Sequence, residues 1–249
     1  MKKSTEAAPT VSDLTHIDAA YEELRPANSL SSWFTHYHKG HRRHLAVDLG
    51  MLRTFASKSD TIVEFGAVPC LLTSATQAMG FKILGVDLAP ERIASVSERL
   101  EVLKCDIERE EVPLEDGTAD LVLFNEIFEH LRINPIFTMK EVARILKPGG
   151  TLLVSTPNLQ SLAGMKSLLL SNRSALLCPM IYDEYKKVSS LGHMGHVREY
   201  TTRDVNDFLS NFGLTREEIV YRGLSSKVQL VQRLIPRFRP FFTLVSRKG

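Results

Sequence analysis

The chain has 249 residues, of which 43% are hydrophobic and 24% charged, and its formal net charge is +2. This length suits one α/β domain with additional segments, and the composition is typical of a globular protein with a sizeable core. The balanced charge gives no support for nucleic acid or a membrane surface as a partner, and the apolar runs fall short of the roughly 18 residues that span a bilayer.

Three cysteines, Cys70, Cys105 and Cys178, lack the CxxC spacing of zinc sites and disulfide frameworks, which favours a reducing compartment. The first residues carry two lysines but no apolar stretch, so they do not resemble a secretory signal. We therefore predict a cytoplasmic protein in which residues 1–12 are disordered.

Two helices are predicted first, over 16–24 and 41–56, and they form an N-terminal cap over residues 1–57. An aromatic and basic cluster lies between and within them, with the members Trp33, Phe34, His36, Tyr37, His38, Lys39, His41, Arg42, Arg43 and His44. Two interpretations remain open. The cluster is either a lid that stacks on a ligand, or aromatic packing that holds the helices on the rest of the fold.

Strands and helices then alternate over residues 58–157. The predicted strands are 61–65, 82–87, 101–105, 119–125 and 151–156, and the predicted helices are 70–79, 90–99 and 135–146. This alternation predicts a parallel, doubly wound sheet with right-handed crossovers. Polar residues at the strand ends should therefore meet at the carboxyl edge of the sheet, where ligands bind in such folds.

Residues 158–200 interrupt the alternation and are predicted to be a helical insertion over this edge. The rest of the chain, 201–249, is predicted to form a helix over 202–212 and two strands over 215–222 and 238–247.

The stretch around the first two strands indicates a nucleoside site. Gly66 follows the first strand and Asp87 ends the second, close to the spacing at which a carboxylate reaches the ribose hydroxyls of a nucleoside. A carboxylate accepts strong hydrogen bonds from hydroxyl groups. The alternatives are that Gly66 is an ordinary turn glycine and that Asp87 caps the next helix.

Five pieces of sequence follow one another in the predicted core: VEFGA, ILGVDLAPERI, LKCDIE, ADLVLFNEIFEHL and ILKPGGTLLVSTPN. In this order they resemble the class I S-adenosylmethionine-dependent methyltransferases. The resemblance implies one domain with a Rossmann-like, doubly wound, mostly parallel seven-stranded sheet. It also implies a C-terminal antiparallel β-hairpin, in addition to the N-terminal helices and the helical insertion. The pieces EHL and GHVREYT resemble the branch that methylates small molecules.

The resemblance implies S-adenosyl-L-methionine as the cofactor. The positions that match the family's cofactor residues are Glu64, Gly66, Ala67, Asp87, Leu88, Asp106, Ile107, Asn125 and Glu126. By position, the first three would serve the methionine end, the next two the ribose and adenine, the following two the adenine edge, and the last two the sulfonium and the acceptor. Asp106 has the alternative interpretation of a solvated loop residue.

The turn after the first strand departs from the family pattern. Val68 and Cys70 stand where the second and third glycines belong, and Pro69 between them removes an amide donor. Each change narrows the site or stiffens the turn. A non-catalytic or repurposed protein of the methyltransferase fold, with weakened cofactor binding, is therefore the alternative to an enzyme.

The candidates for a catalytic proton acceptor are His130, His193 and His196, because histidine titrates near neutral pH. The alternative for each is a hydrogen-bonded structural role. His193 and His196 have a spacing that metal ligands also use, but the sequence offers no cluster of Cys, Asp or Glu to complete a site, so we predict no metal.

The predicted function is methyl transfer from S-adenosylmethionine to a small-molecule acceptor, with oxygen favoured over nitrogen and carbon as the methylated atom. Nucleic acid is not expected as a partner, and a homo-oligomer remains open. A nicotinamide-dependent enzyme is disfavoured by the missing GxGxxG motif and by the predicted C-terminal hairpin.

Overall fold

The computed structural model describes residues 9–27, 31–173, 182, 186, 195–225 and 227–249. Its strands are β1 Thr61–Phe65, β2 Lys82–Asp87, β3 Val102–Lys104, β4 Ala119–Asn125, β5 Leu146–Pro157, β6 Leu214–Arg222 and β7 Phe241–Lys248. They form one sheet in the order β3-β2-β1-β4-β5-β7-β6. The first five strands run parallel, and β7 pairs antiparallel with both β5 and β6. The predicted fold class is confirmed.

The α-helices of the described residues are α1 Val11–Leu24, α2 Ser31–Phe55, α3 Leu71–Ala78, α4 Ala94–Ser97, α5 Pro135–Ile145, α6 Leu162–Ser171, α7 Thr202–Ser210 and α8 Gln229–Leu234. Short 3₁₀ helices lie at Arg25–Ala27, Pro90–Ile93, Phe128–His130 and Pro236–Phe238. The helix predicted over 90–99 is therefore a 3₁₀ turn followed by the short α4. None of the described helices combines the length and the apolar character that crossing a membrane requires.

Both faces of the sheet are covered by helices. Successive side chains of a strand point to opposite faces, so Ile62 packs in the cluster with α1, α2 and α3, whereas Val63 packs in the cluster with α5 and α7. The carboxyl ends of β1, β2 and β4 are thereby left open at one edge, with β1 between the other two strands.

Helix α1 begins earlier than predicted because of a capping box. Thr10 Oγ1 accepts a hydrogen bond from the Asp13 amide at 3.1 Å, and Asp13 Oδ2 accepts one from the Thr10 amide at 2.9 Å. Arg53 of α2 also pairs with the Asp13 carboxylate. The prediction of disorder is therefore wrong for the last residues of 1–12, because a cap stabilises the first turn of a helix.

Helix α2 is one continuous helix that contains the aromatic and basic cluster, so its predicted start at residue 41 is wrong. Its inner face buries Phe34, Leu49 and Leu52, which share the α1 and α3 side of the core. The histidines and aromatic residues occupy other faces and obscure the apolar period in the sequence. The Tyr37 ring stacks on His41 at 4.2 Å, one helical turn away.

A buried ion pair attaches α2 to the C-terminal strands. Arg222 Nη2 lies 2.9 Å from Asp48 Oδ1, with both side chains at most 5% exposed. Arg222 also donates hydrogen bonds to the His44 carbonyl at 2.9 Å and to Thr243 Oγ1 at 3.1 Å. Burial raises the pKa of Asp48 to about 6, although Arg222 opposes that shift.

Candidate active site

The adjacent strand order brings Glu64, Asp87 and Asn125 to the same edge of the sheet. Glu64 is buried and accepts a hydrogen bond from Thr73 Oγ1 at 2.7 Å. Burial raises its pKa to about 8, the Thr73 hydrogen bond opposes the shift, and the nearby Asp48 and Asp87 carboxylates add to it. Glu64 therefore carries a proton at neutral pH.

The turn after β1 folds back on β2. The amides of Gly66 and Ala67 both donate to the Val86 carbonyl, at 2.8 and 3.3 Å. Gly66 has a φ of +66°, and a Cβ there would lie 2.2 Å from Ile127 Cδ1. Cys70, which is fully buried, also has a positive φ of 67°. The turn thus uses two left-handed residues, and only one of them is the glycine that this conformation favours.

Asp87 holds this turn through its side chain. Oδ2 accepts a hydrogen bond from the Val68 amide at 3.0 Å, and Oδ1 accepts one from the Ala89 amide at 2.9 Å. The alternative that Asp87 caps the next helix is not observed, since Ala89 is the N-cap of the 3₁₀ helix. These two hydrogen bonds fix the orientation of the Asp87 carboxylate. Leu88, beside it, is 40% exposed.

Asp106 belongs to a tightly bonded turn. Its Oδ1 accepts a hydrogen bond from the Glu108 amide at 3.2 Å, and its own amide donates to Glu110 Oε2 at 2.9 Å. The carbonyl of Ile107 accepts from Thr138 Oγ1 at 2.9 Å. These bonds hold Asp106 within the turn, and the adenine contact of Asp106 and Ile107 stays a prediction.

Asn125, at the end of β4, has a side-chain amide without a partner. Its Nδ2 and Oδ1 are both buried and form no hydrogen bond with any of the described residues. Leaving such a group unsatisfied costs about 1–3 kcal/mol. Glu126 follows with a φ of 55°, and its Oε1 accepts a hydrogen bond from Ser155 Oγ at 2.8 Å.

Glu129 is a site residue that the sequence analysis missed. It is fully buried, and its Oε2 accepts a hydrogen bond from Thr156 Oγ1 at 2.9 Å. Burial, and then the negative charge of Glu126, raise its pKa well above the ordinary value. The signal in the sequence was an acidic pair three residues apart at a strand end, where one carboxyl is expected to remain protonated.

The fold brings His196 to Glu129 and His130. His196 Nε2 lies 3.9 Å from Glu129 Oε1, and the rings of His130 and His196 meet edge to face at 4.9 Å between centroids. His193 lies outside the described residues. Because ligand atoms of Glu129, His130 and His196 all lie within 4.8 Å of one another, the premise that no acidic residue completes a set here is wrong. The absence of a metal stays a prediction.

Two members of the aromatic and basic cluster on α2, Tyr37 and His44, have shifted pKa values. The pKa of Tyr37 is raised, first by burial and then by the negative charges of Glu64 and Glu126. His44 packs edge to face on Phe241 at 4.5 Å, and burial lowers its pKa to about 4, with the charge of Arg222 adding to the effect.

A separate groove of about 400 Å³ lies beside this edge, between the 3₁₀ helix at Phe128–His130 and α7. Its lining residues include Phe128, Tyr200 and Phe208 but none of the predicted cofactor residues. Arg198, which also lines this groove, lies over the Tyr200 ring at 5.0 Å.

Residues 63–154 match the family described as Methyltransferase domain. The chain is similar to a ubiquinone biosynthesis O-methyltransferase from Xanthomonas campestris, with 29% identity over 157 residues, 59% of this chain and 65% of that protein. The chain thus spans slightly less than two thirds of this relative. It is also similar to a probable S-adenosylmethionine-dependent methyltransferase from Mycolicibacterium smegmatis, with 36% identity over 80 residues, 31% of this chain and 30% of that protein.

Among solved structures, a methyltransferase from Thermotoga maritima, described as a possible histamine N-methyltransferase, has a TM-score of 0.57 at 18% identity. The likeness covers 92% of this chain and 100% of that one. A methyltransferase from Archaeoglobus fulgidus also has a TM-score of 0.57, at 15% identity, with 87% of this chain and 99% of that one covered. With the sheet order and the C-terminal hairpin, these likenesses show that the chain has the fold of these methyltransferases, and residues 63–154 match the family described as Methyltransferase domain.

Proposed function

We propose that this chain transfers the methyl group of S-adenosylmethionine to an oxygen atom of a small-molecule acceptor. The observation that carries the proposal is the buried amide of Asn125 at the end of β4, which has no hydrogen-bond partner among the described residues. In a superfamily that uses S-adenosylmethionine, this amide is best explained as a group that hydrogen-bonds a ligand. The name of the Xanthomonas relative, a quinone-pathway O-methyltransferase, favours oxygen on a small acceptor.

The residues at the carboxyl edge fit the cofactor. Asp87 is oriented by two backbone amides at the end of β2, and its carboxylate is proposed to accept hydrogen bonds from the ribose hydroxyls. The partly exposed Leu88 offers an apolar contact for the adenine. Gly66 keeps the turn close to the strand end, and Glu64 supports that turn through Thr73. When bound, S-adenosylmethionine supplies an electrophilic methyl group, so the protein's task is alignment and exclusion of water.

His196, with Glu129 beside it, is proposed to take the proton that the acceptor's hydroxyl group loses. Glu129 Oε1 lies 3.9 Å from His196 Nε2, close enough to orient the imidazole that is proposed to accept the hydroxyl proton. Glu126, bonded to Ser155, is placed to orient the acceptor next to Asn125. His130, in ring contact with His196, is the second candidate for the acceptor, and His193 remains a third from sequence alone.

The direct test is calorimetric titration of the purified chain with S-adenosylmethionine and, separately, NADH, followed by a turnover assay. The assay would follow S-adenosylhomocysteine release with phenols, catechols and matched amines as acceptors. We expect heat with S-adenosylmethionine only and turnover with hydroxylated acceptors. Faster turnover with the amines would reject transfer to oxygen.

A His196→Gln variant tests the proton acceptor. We expect turnover to fall by about 10²–10⁴-fold while cofactor affinity stays the same, because general base catalysis contributes that much. His130→Gln is the matched control on the facing ring, and a larger loss there would transfer the role to His130. Full activity in both variants would remove both residues from the mechanism.

The turn at residues 66–70 favours the alternative of a non-catalytic or repurposed protein. Val68 takes the place of a family glycine, and Cys70 adopts a left-handed conformation with its side chain fully buried. This alternative predicts that neither S-adenosylmethionine nor S-adenosylhomocysteine raises the melting temperature, even in large excess. A shift of several degrees with either compound would reject it.

A further inference from the structure

Two segments emerge side by side at the carboxyl edge of the sheet. Residues 158–173, which contain α6, follow β5, and residues 223–240, which contain α8, lead into β7. Asn158 joins the segments at their base: its Nδ2 donates to the carbonyls of Arg237 and Arg239, both at 2.8 Å, and its amide donates to the Pro240 carbonyl at 2.8 Å. We call the exposed faces of these two segments the basic apolar surface.

The basic apolar surface exposes large apolar side chains at 37–76% of their area: Met165, Leu168, Leu169, Leu170, Leu224, Leu230, Val231, Leu234 and Ile235. Exposing apolar area to water is unfavourable, and clustered exposure of this kind indicates an interaction site. Leu168, Leu169 and Leu170 are consecutive, so they point around α6 rather than along one stripe. Such a distribution fits a fluid apolar medium better than the shaped groove of a protein partner.

The charge of the basic apolar surface has one sign. The whole chain carries 31 basic and 29 acidic residues, but no acidic residue falls within 158–173 or 223–240. The exposed basic residues there are Lys166, Arg173, Lys227, Arg233 and Arg237. The near-neutral net charge therefore conceals a local positive surface, and this surface is complementary to an anionic one.

We propose that the basic apolar surface binds the face of an anionic phospholipid bilayer. Helix α6 has 10 residues, too few to span a membrane but enough to lie in its interface with leucines in the acyl region. The aliphatic stems of the lysine and arginine side chains lie along the apolar layer, and their charges meet the lipid phosphates.

This surface lies at the same edge as Asp87 and Asn125. If the proposed function holds, an acceptor dissolved in the bilayer reaches the cleft without passing through water. This consequence rests on the proposed methyl transfer, whereas vesicle binding itself does not, so the two can be tested separately.

The experiment is cosedimentation of the full chain with vesicles of phosphatidylcholine alone or mixed equally with phosphatidylglycerol. We expect at least tenfold tighter binding to the anionic vesicles, and weaker binding as salt is added. The double variants Leu169→Ser/Leu170→Ser and Arg233→Gln/Arg237→Gln should each lower the affinity at least tenfold. Val11→Ser is the matched control, because Val11 is 81% exposed on α1.

Melting temperatures without lipid should be equal among these variants, since the replaced side chains are exposed. Failure to sediment, equal binding to both kinds of vesicle, or variants that bind like the original chain would each overturn the proposal. So would a fall from dimer to monomer in the leucine variant during ultracentrifugation, which would assign the surface to a second copy. Vesicle binding without heat from S-adenosylmethionine would refute only the proposed function.

Discussion

The turn after β1 and the end of β4 lie on neighbouring strands at one edge of the sheet, yet their polar groups are satisfied very differently. In the turn, the amides of Gly66, Ala67 and Val68 all have partners within the protein. At the end of β4, the Asn125 amide has no partner among the described residues, and burial raises the pKa of Glu129 well above its ordinary value. The residues that depart from the family pattern thus lie in the turn after β1, where the backbone amides have partners within the protein. The buried amide without a partner among the described residues lies at the end of β4, where the proposed methyl transfer would occur.

The largest predicted effect is the pH dependence of stability that arises from Glu64, the buried acid at the end of β1. Below pH 4.5, the ordinary pKa of a glutamate, Glu64 is protonated in both the folded and the unfolded state. Between pH 4.5 and about pH 8, only the folded state keeps the proton. Stability from Glu64 is therefore present at low pH and is lost as the pH rises through this window, by at most about 1.4 kcal/mol per pH unit. Denaturant unfolding of Glu64→Gln should show a flatter pH dependence than the original chain.

The control for Glu64 is Glu217→Gln, which removes a partly exposed carboxylate paired with Arg247. Its pH dependence between 5 and 8 should parallel that of the original chain. If the pH dependence of Glu64→Gln also parallels that of the original chain, the fold does not keep Glu64 protonated. The proposed difference between the turn after β1 and the end of β4 would then lose part of its support.

At the end of β2, Asp87→Ala should weaken binding of S-adenosylhomocysteine at least tenfold, or about 1.4 kcal/mol. The reason is that the carboxylate proposed to accept the ribose hydroxyls is gone. Asp120→Ala is the control, because Asp120 is the second residue of β4, at the opposite edge, and pairs with Lys147 at 2.7 Å. Calorimetry on folded protein gives the answer, and an unchanged affinity would remove the ribose assignment.

The Asn125→Leu variant tests whether the buried amide at the end of β4 lacks a partner within the fold. Removing an unsatisfied buried amide should leave the free energy of unfolding unchanged or raise it by about 1 kcal/mol, while the stabilisation by added cofactor falls. Asn158→Leu is the matched control, since its amide donates two hydrogen bonds, and it should lose about 1–3 kcal/mol. A comparable loss in both variants would indicate that Asn125 is satisfied within the fold.

The smallest effect is expected at Cys70. Glycine relieves a left-handed strain of roughly 1 kcal/mol but removes a buried side chain, so Cys70→Gly should change stability by less than about 1 kcal/mol. Cofactor affinity should rise, because the turn gains space. Asn172→Gly is the control, with a φ of 49° and an exposed side chain. Weaker cofactor binding in Cys70→Gly would show that the departure is an adaptation.

The sheet was predictable because its signals are local. The strand 61–65 matches β1 residue for residue, since a short run of buried apolar residues bounded by polar ones has few alternatives. Helix α2 was missed over its first ten residues because its histidines and aromatic residues disguise the apolar period. Strand β5 begins five residues before its predicted start at 151, because Leu146 pairs with Ala119, and sequence patterns do not report such long-range pairing.

The candidate site divides in the same way. Asp87 and Asn125 were found because they end strands, and the carboxyl edge of a parallel sheet is a topological property. Glu129 and its contact with His196 were missed because 67 positions separate them, 196 − 129, and only the folded chain brings them together. The role of Asp106 also depended on nearby amides that the sequence does not place.

The pair between Asp48 and Arg222 sets an order of events during synthesis. Arg222 follows the His44 carbonyl that it binds by 178 positions, so α2 leaves the ribosome long before its counterion exists. Until β6 is complete, Asp48 must stay hydrated or protonated, because an unpaired charge is costly to bury. Helix α2, which carries Tyr37 and His44, is therefore expected to pack on the sheet only after the end of the chain has been synthesised.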